Sequence, residues 1–138
     1  MIRRATGDDI PQIVELGAEF LAVSPHAWIP LDRDAFTEFA GRLVDHGVVF
    51  LSDDGMIGGL VTPFFFNPAV TTAAELFWFA RKEGRALREA FEGWAREQGA
   101  ACLTCAGLVN DREPAIRRNY ERAGYVAKEI AFMKRIDQ

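Results

Sequence analysis

The stretch "FARKEGRAL", residues 79 to 87, concentrates residue types that can hold an anion. Arg81, Lys82 and Arg85 surround Gly84, and Arg88 follows within a turn. If a helix starts here, its first N–H groups lack intrahelical acceptors, its dipole presents a positive end, and glycine lets a phosphate approach the backbone. Arginine adds paired donors suited to phosphate oxygens. The same residues also fit a solvated basic edge neutralised by the interleaved Glu83 and Glu89. A few residues earlier, Glu75 is the only carboxylate in "AAELFWFA", and strand alternation puts it on the face of Phe77 and Phe79. Closed from water on that face, it would titrate high and become a better base toward an ammonium group; in the open it is a solvated glutamate at a strand entrance. In "SPHAWIP", His26 offers a titratable imidazole and Trp28 an indole that can stack on an amine, or the two are a turn histidine and a packing tryptophan. His46, beside Gly47, reads as a charge at a helix end.

Cys102 and Cys105 form a C-x-x-C inside "AACLTCAGLV", a small and apolar run that reads as a buried strand. Positions three apart on a strand face opposite sides, so neither a disulfide nor a shared zinc follows, and two buried core thiols are expected. With two histidines in the chain, further metal ligands are scarce, and no metal is expected.

These residues need a scaffold, and 138 residues suffice for one domain with its own core. A hydrophobic share of 49% beside 26% charged residues is ordinary for a globular chain. The net charge of −4 speaks against a general nucleic-acid surface while leaving room for a local basic patch. The start "MIRRATGDDIPQ" lacks an apolar run of signal or membrane-spanning length, so a cytoplasmic protein without a membrane partner is expected.

The pattern along the chain alternates. "MIRRA" is a short strand; Thr6 and Asp9 resemble a capping box before a helix reaching about Val23, with Ile10, Ile13, Val14, Leu16, Gly17 and Phe20 inward. Asp32 caps a second helix carrying Phe36, Phe39, Ala40, Leu43 and Val44 on one face, with Gly47 as a left-handed stop. Two apolar runs joined at Asp53, Asp54 and Gly55 predict a hairpin whose second strand is ended or distorted by Pro63. "TTAAELFWFA" reads as a central strand, and the helix after it places Ala86, Leu87, Ala90, Phe91, Trp94 and Ala95 on one stripe and closes at Gly99. The cysteine strand, a helix from Asn110 or Asp111 to Gly124, and one or two strands in "YVAKEIAFMKRI" complete the order β-α-α-β-β-β-α-β-α-β. That order predicts an α/β sandwich: a mixed central sheet flanked by about four helices.

The element order, "ELFWFARKEGRAL" and "NYERAGY" together resemble the GNAT superfamily of N-acetyltransferases over nearly the whole chain. The resemblance implies acetyl-CoA as co-substrate, direct transfer of acetyl to a primary amine, and a pyrophosphate loop of pattern R/Q-x-x-G-x-G/A. Arg81, Gly84 and Ala86 match it by letter, yet Leu87 as first core-facing leucine makes Gly84 the final glycine and the loop about two residues short. By the same resemblance, Trp78, Phe79 and Ala80 would pair with pantetheine amides, Arg81, Lys82, Gly84 and Arg85 would hold the pyrophosphate, and Asn110 would touch CoA. Tyr120 would protonate the departing thiolate or else be a core tyrosine beside Ile116, Glu75 would deprotonate the amine, and His26 and Trp28 would border the acceptor. Exposed, the run Phe64 to Phe66 would form a partner surface, with a homodimer as one way to bury it. The alternative is a degenerate GNAT-fold module that binds CoA or a protein without catalysis.

Overall fold

The computed structural model describes residues 1–107 and 112–138. The chain forms two compact units, Met1–Ala106 and Gly107–Gln138, taken here in turn.

In the first unit, β1 (Arg3–Arg4) leads through a 3₁₀ turn (Gly7–Asp9) into α1 (Ile10–Val23) and α2 (Arg33–His46). Then follow β2 (Val48–Leu51), β3 (Gly55–Phe64), β4 (Asn67–Ala80), α3 (Gly84–Glu97) and β5 (Cys102–Thr104). The five strands lie side by side in chain order. Neighbours are antiparallel as far as β4, and β5 alone runs parallel to its neighbour β4. A parallel strand requires a crossover, and α3 supplies it.

Alternation along the strands sorts the core into two clusters. Val49, Leu51, Met56 and Phe77 pack with Ile13 and Leu16 of α1 and with Ala40 and Leu43 of α2. Their strand neighbours Val48 and Ile57 turn to the other face, where Leu87, Phe91, Trp94 and Ala95 of α3 cover them. The sheet is therefore buried on both sides, which is why β2 and the start of β3 are continuously apolar.

Local chemistry sets the ends of these elements. The Thr6 N–H donates to the Asp9 carboxylate at 2.8 Å, and Arg3 grips that carboxylate at 2.7 and 2.8 Å, so Asp9 titrates far below the ordinary carboxylate range. Asp32 accepts the Ala35 N–H at 3.0 Å, as a helix cap should. The Ser52 N–H donates to the Gly55 carbonyl at 3.0 Å and closes the β2–β3 hairpin. Pro63 sits one residue before the end of β3, beside an irregularity in its pairing with β4.

Two local expectations are corrected. Gly47 ends α2 at φ −121°, outside the left-handed region. Glycine is required there by proximity, since a Cβ would lie 2.4 Å from the Gly59 carbonyl oxygen. The cysteines are not core thiols: Cys102 is exposed and Cys105 half-buried. β5 spans only three residues and has β4 as its one partner among the described residues, so its apolar run lies at a sheet edge.

The second unit contains α4 (Glu113–Arg122), with Pro114 in its first turn and Gly124 closing it at φ +88°. Among the described residues no strand forms after Tyr125, contrary to the expected one or two. A strand needs both a ladder partner and a face to bury. Val126, Ile130, Phe132, Met133 and Ile136 are all exposed here.

Candidate active site

The site is built around the second half of β4. Its register against β3 slips by one residue: Glu75 lies opposite Gly59 and Phe77 opposite Gly58, leaving Leu76 as the extra residue of a bulge. Paired residues share a face and neighbouring ones do not, so Glu75 and Phe77 point to opposite sides of the sheet. The expectation that Glu75 shares a face with Phe77 and Phe79 is thereby overturned. The opposing glycines make the bulge possible. A Cβ at Gly58 would meet the Phe77 ring at 2.5 Å, and one at Gly59 would sit 2.2 Å from the Ala74 carbonyl oxygen and 2.8 Å from Phe91.

At the same level the sheet forks. β5 pairs with β4 only at Thr72, Ala73 and Ala74. Beyond that point, Trp78, Phe79 and Ala80 pair with Ile57, Met56 and Gly55 on one side, and no strand occupies their other side among the described residues. A strand edge of this kind is where an extended, amide-bearing ligand can add as a further strand. Glu75 stands at the fork, half-buried. Burial pushes its carboxyl up to about 7, against the pull of a hydrogen bond from the Ala106 backbone. A carboxyl titrating there is available as a base near neutral pH.

After Ala80 the chain turns into α3 through Arg81, Lys82 and Glu83. Glu83 is the helix N-cap at φ +58°, the one non-glycine left-handed residue among those described, and its carboxylate meets the N-terminal ammonium at 3.3 Å. The Leu87 N–H donates to the Glu83 carbonyl at 3.0 Å, so the earlier N–H groups of Gly84, Arg85 and Ala86 precede the helical ladder. Leu87 and Phe91 are fully buried while Glu89 lies outside and pairs with Arg85 at 2.7 Å. The helix thus starts at Gly84 with Leu87 as its first fully buried side chain.

The four cations behave differently. Arg81 binds Glu19 of α1 at 2.6 Å and lies over the Phe79 ring at 5.2 Å. Lys82 and Arg85 are exposed. Arg88 does not belong to the loop's basic edge. It is turned into the α3 interface and paired with Glu92 at 2.9 Å, with side-chain exposures of 8% and 16%. The i, i+4 spacing was legible in sequence, but its burial was not. Glu19 was overlooked altogether, because nothing local connects it to a residue 62 positions away.

The remaining candidates belong to other segments of the chain. His26 and Trp28 are exposed in the connection between α1 and α2, where the His26 N–H bonds the Ser24 hydroxyl at 3.1 Å. Tyr120 belongs to the second unit, half-buried, with its ring edge-on to Tyr125 at 5.0 Å. Asn110 lies outside the described residues. Among the described residues no group of three or more His, Cys, Asp or Glu side chains is placed to hold a metal, and no helix is long and apolar enough to cross a membrane.

Comparison with solved structures identifies the architecture. The chain matches an acetyltransferase of Trypanosoma brucei at 17% identity, covering 99% of each chain with a TM-score of 0.67. It matches an aminoglycoside acetyltransferase from an uncultured soil metagenomic sample at 16% identity, covering 99% of this chain and 98% of the other, TM-score 0.66. A ribosomal-protein-alanine N-acetyltransferase of Brucella melitensis matches at 15% identity over 99% of each chain, TM-score 0.65. A transcriptional regulator of Bacillus halodurans shares the fold equally well, at 16% identity over 99% of each chain with a TM-score of 0.71. No protein-family model and no curated protein matches the sequence. The chain has the GNAT-type acetyltransferase fold.

Proposed function

We propose that this protein is an acetyl-CoA-dependent N-acetyltransferase acting on a primary amine. The observation that carries the reading is the fork of β4 and β5, where β5 ends its pairing at Ala74 and β4 runs on into the start of α3, with a carboxyl of raised pKa at the fork. The residues fit the co-substrate: the edge at Trp78, Phe79 and Ala80 suits the pantetheine amides, and the first turn of α3 with Arg81, Lys82 and Arg85 suits the pyrophosphate. Acetyl-CoA supplies the activated thioester.

Glu75 takes a proton from the substrate ammonium and leaves the amine lone pair free to form the new C–N bond as the C–S bond breaks. Tyr120 is assigned the proton returned to the CoA sulfur, on the strength of "NYERAGY". A phenol of pKa about 10 is protonated at neutral pH and can serve a thiolate whose conjugate acid has a pKa of about 8.5. His26 and Trp28 are proposed to border the amine, Asn110 to touch CoA.

Calorimetric titration with acetyl-CoA tests the reading without knowledge of the acceptor. Binding that Arg81→Ala weakens about tenfold and Tyr120→Phe leaves intact supports it; no heat and no thermal shift at millimolar acetyl-CoA overturns it.

A second reading is favoured by one observation. Phe65 and Phe66 are each 79% exposed at the β3–β4 tip and pack on one another at 4.2 Å. We assign this tip to an interface with a second copy, whether or not the chain is catalytic.

A further inference from the structure

Arg81 is held from two sides by one closed group of side chains. Its Nη2 donates to the Glu19 carboxylate at 2.6 Å, and its guanidinium carbon lies 5.2 Å from the centre of the Phe79 ring. Phe79 stacks in turn on Phe20, the next residue of α1, at 5.5 Å and an interplanar angle of 15°. Adjacent residues of α1 therefore hold the guanidinium directly and through the ring beneath it. A carboxylate offers an arginine the same pair of anionic oxygens as a phosphate does. Through one of its oxygens Glu19 thus occupies a guanidinium donor, at Nη2, that an incoming phosphate could use. The pair remains accessible, with side-chain exposures of 56% for Arg81 and 47% for Glu19.

We propose that Glu19 is a positioning residue that holds Arg81 at the mouth of the loop and must yield it when acetyl-CoA binds, so that it sets the affinity for that ligand; this rests on the acetyl-CoA reading above. Phe79 keeps the guanidinium plane in place during the exchange, and the partner anion changes from the Glu19 carboxylate to a ligand phosphate. An exposed ion pair is weak, so removing Glu19 tightens binding modestly, by about two- to fivefold.

The test is a double-mutant cycle read by calorimetric titration with acetyl-CoA on the full chain. Glu19→Gln is expected to lower Kd about two- to fivefold in the native background, to have no effect in the Arg81→Ala background, and to lose its benefit at high salt, where the pair is screened. A change confined to helix packing would produce neither the dependence on Arg81 nor the salt effect. If Glu19→Gln leaves Kd unchanged or raises it, or tightens binding equally without Arg81, the role of Glu19 is wrong while the acetyl-CoA reading stands. If neither the native chain nor Glu19→Gln binds at millimolar acetyl-CoA, both fall.

Discussion

β4 connects two ends of opposite character. Its first end is the tip of Phe64, Phe65 and Phe66, within a run free of charged residues from 55 to 74, where the three rings pack chiefly on one another. Its last end runs into Arg81, Arg85 and Arg88, and each of these has a carboxylate: Glu19, Glu89 and Glu92. The tip exposes a surface whose partner must come from outside. The loop already carries counter-ions, so any anion that binds there competes with the protein's own acids. One strand therefore offers an open surface at one end and a contested one at the other.

The strongest way to break the charged end is through its root. Glu75→Gln is expected to reduce amine acetylation at least about a hundredfold, the usual contribution of a positioned base. The native rate should rise with pH and level off above about 7, because the base works only when deprotonated. Stability runs the other way. The folded carboxyl holds its proton up to about 7, while an unfolded glutamate gives it up near 4.5. The contribution of Glu75 to stability should therefore be most favourable below 4.5 and decline as pH rises toward 7, and Glu75→Gln should remove that part of the slope in denaturant titrations.

Next in size is the innermost ion pair. Glu92→Ala removes the carboxylate paired with the buried guanidinium of Arg88 and should cost about 3 kcal/mol in urea unfolding, several times the effect of breaking an exposed pair. Equal losses for Glu92→Ala and Glu89→Ala would erase the distinction drawn between them. The smallest effect belongs to the tip. Phe65→Ser with Phe66→Ser should shift stability by no more than about 0.5 kcal/mol, since both are exposed, while lowering the apparent mass in sedimentation if a second copy covers them. An unchanged mass would remove the dimer from consideration.

The periodic parts of this molecule were legible before any coordinates. Asp32 caps α2, Leu87 fixes the register of α3, and the hairpin turns at Asp53 and Asp54, because each signal is local and repeats with the period of its element. What escaped was of three physical kinds. The bulge at Leu76 breaks a period rather than expressing one, so strict alternation put Glu75 on the wrong face. The pairing of Arg81 with Glu19 joins residues far apart in sequence and leaves no local trace. Apolar composition in "CLTCA" was read as burial and that after Tyr125 as strand, yet both depend on what lies across, and Cys102 and Phe132 are exposed.

The two glycines opposite Leu76 acquire a meaning that residue chemistry would never assign them. They are shims: by having no side chain they admit one surplus residue into β4, and that surplus sets which way Glu75 looks. Straightening the bulge while keeping Leu76 would restore an unbroken pleat and reverse the sidedness of the strand on one flank of it. A base would become a core-facing charge, or a core phenylalanine an outward one, without any change in the amino acids themselves. The reactivity of this carboxyl is in that sense a property of counting, written as much in Gly58 and Gly59 as in the glutamate.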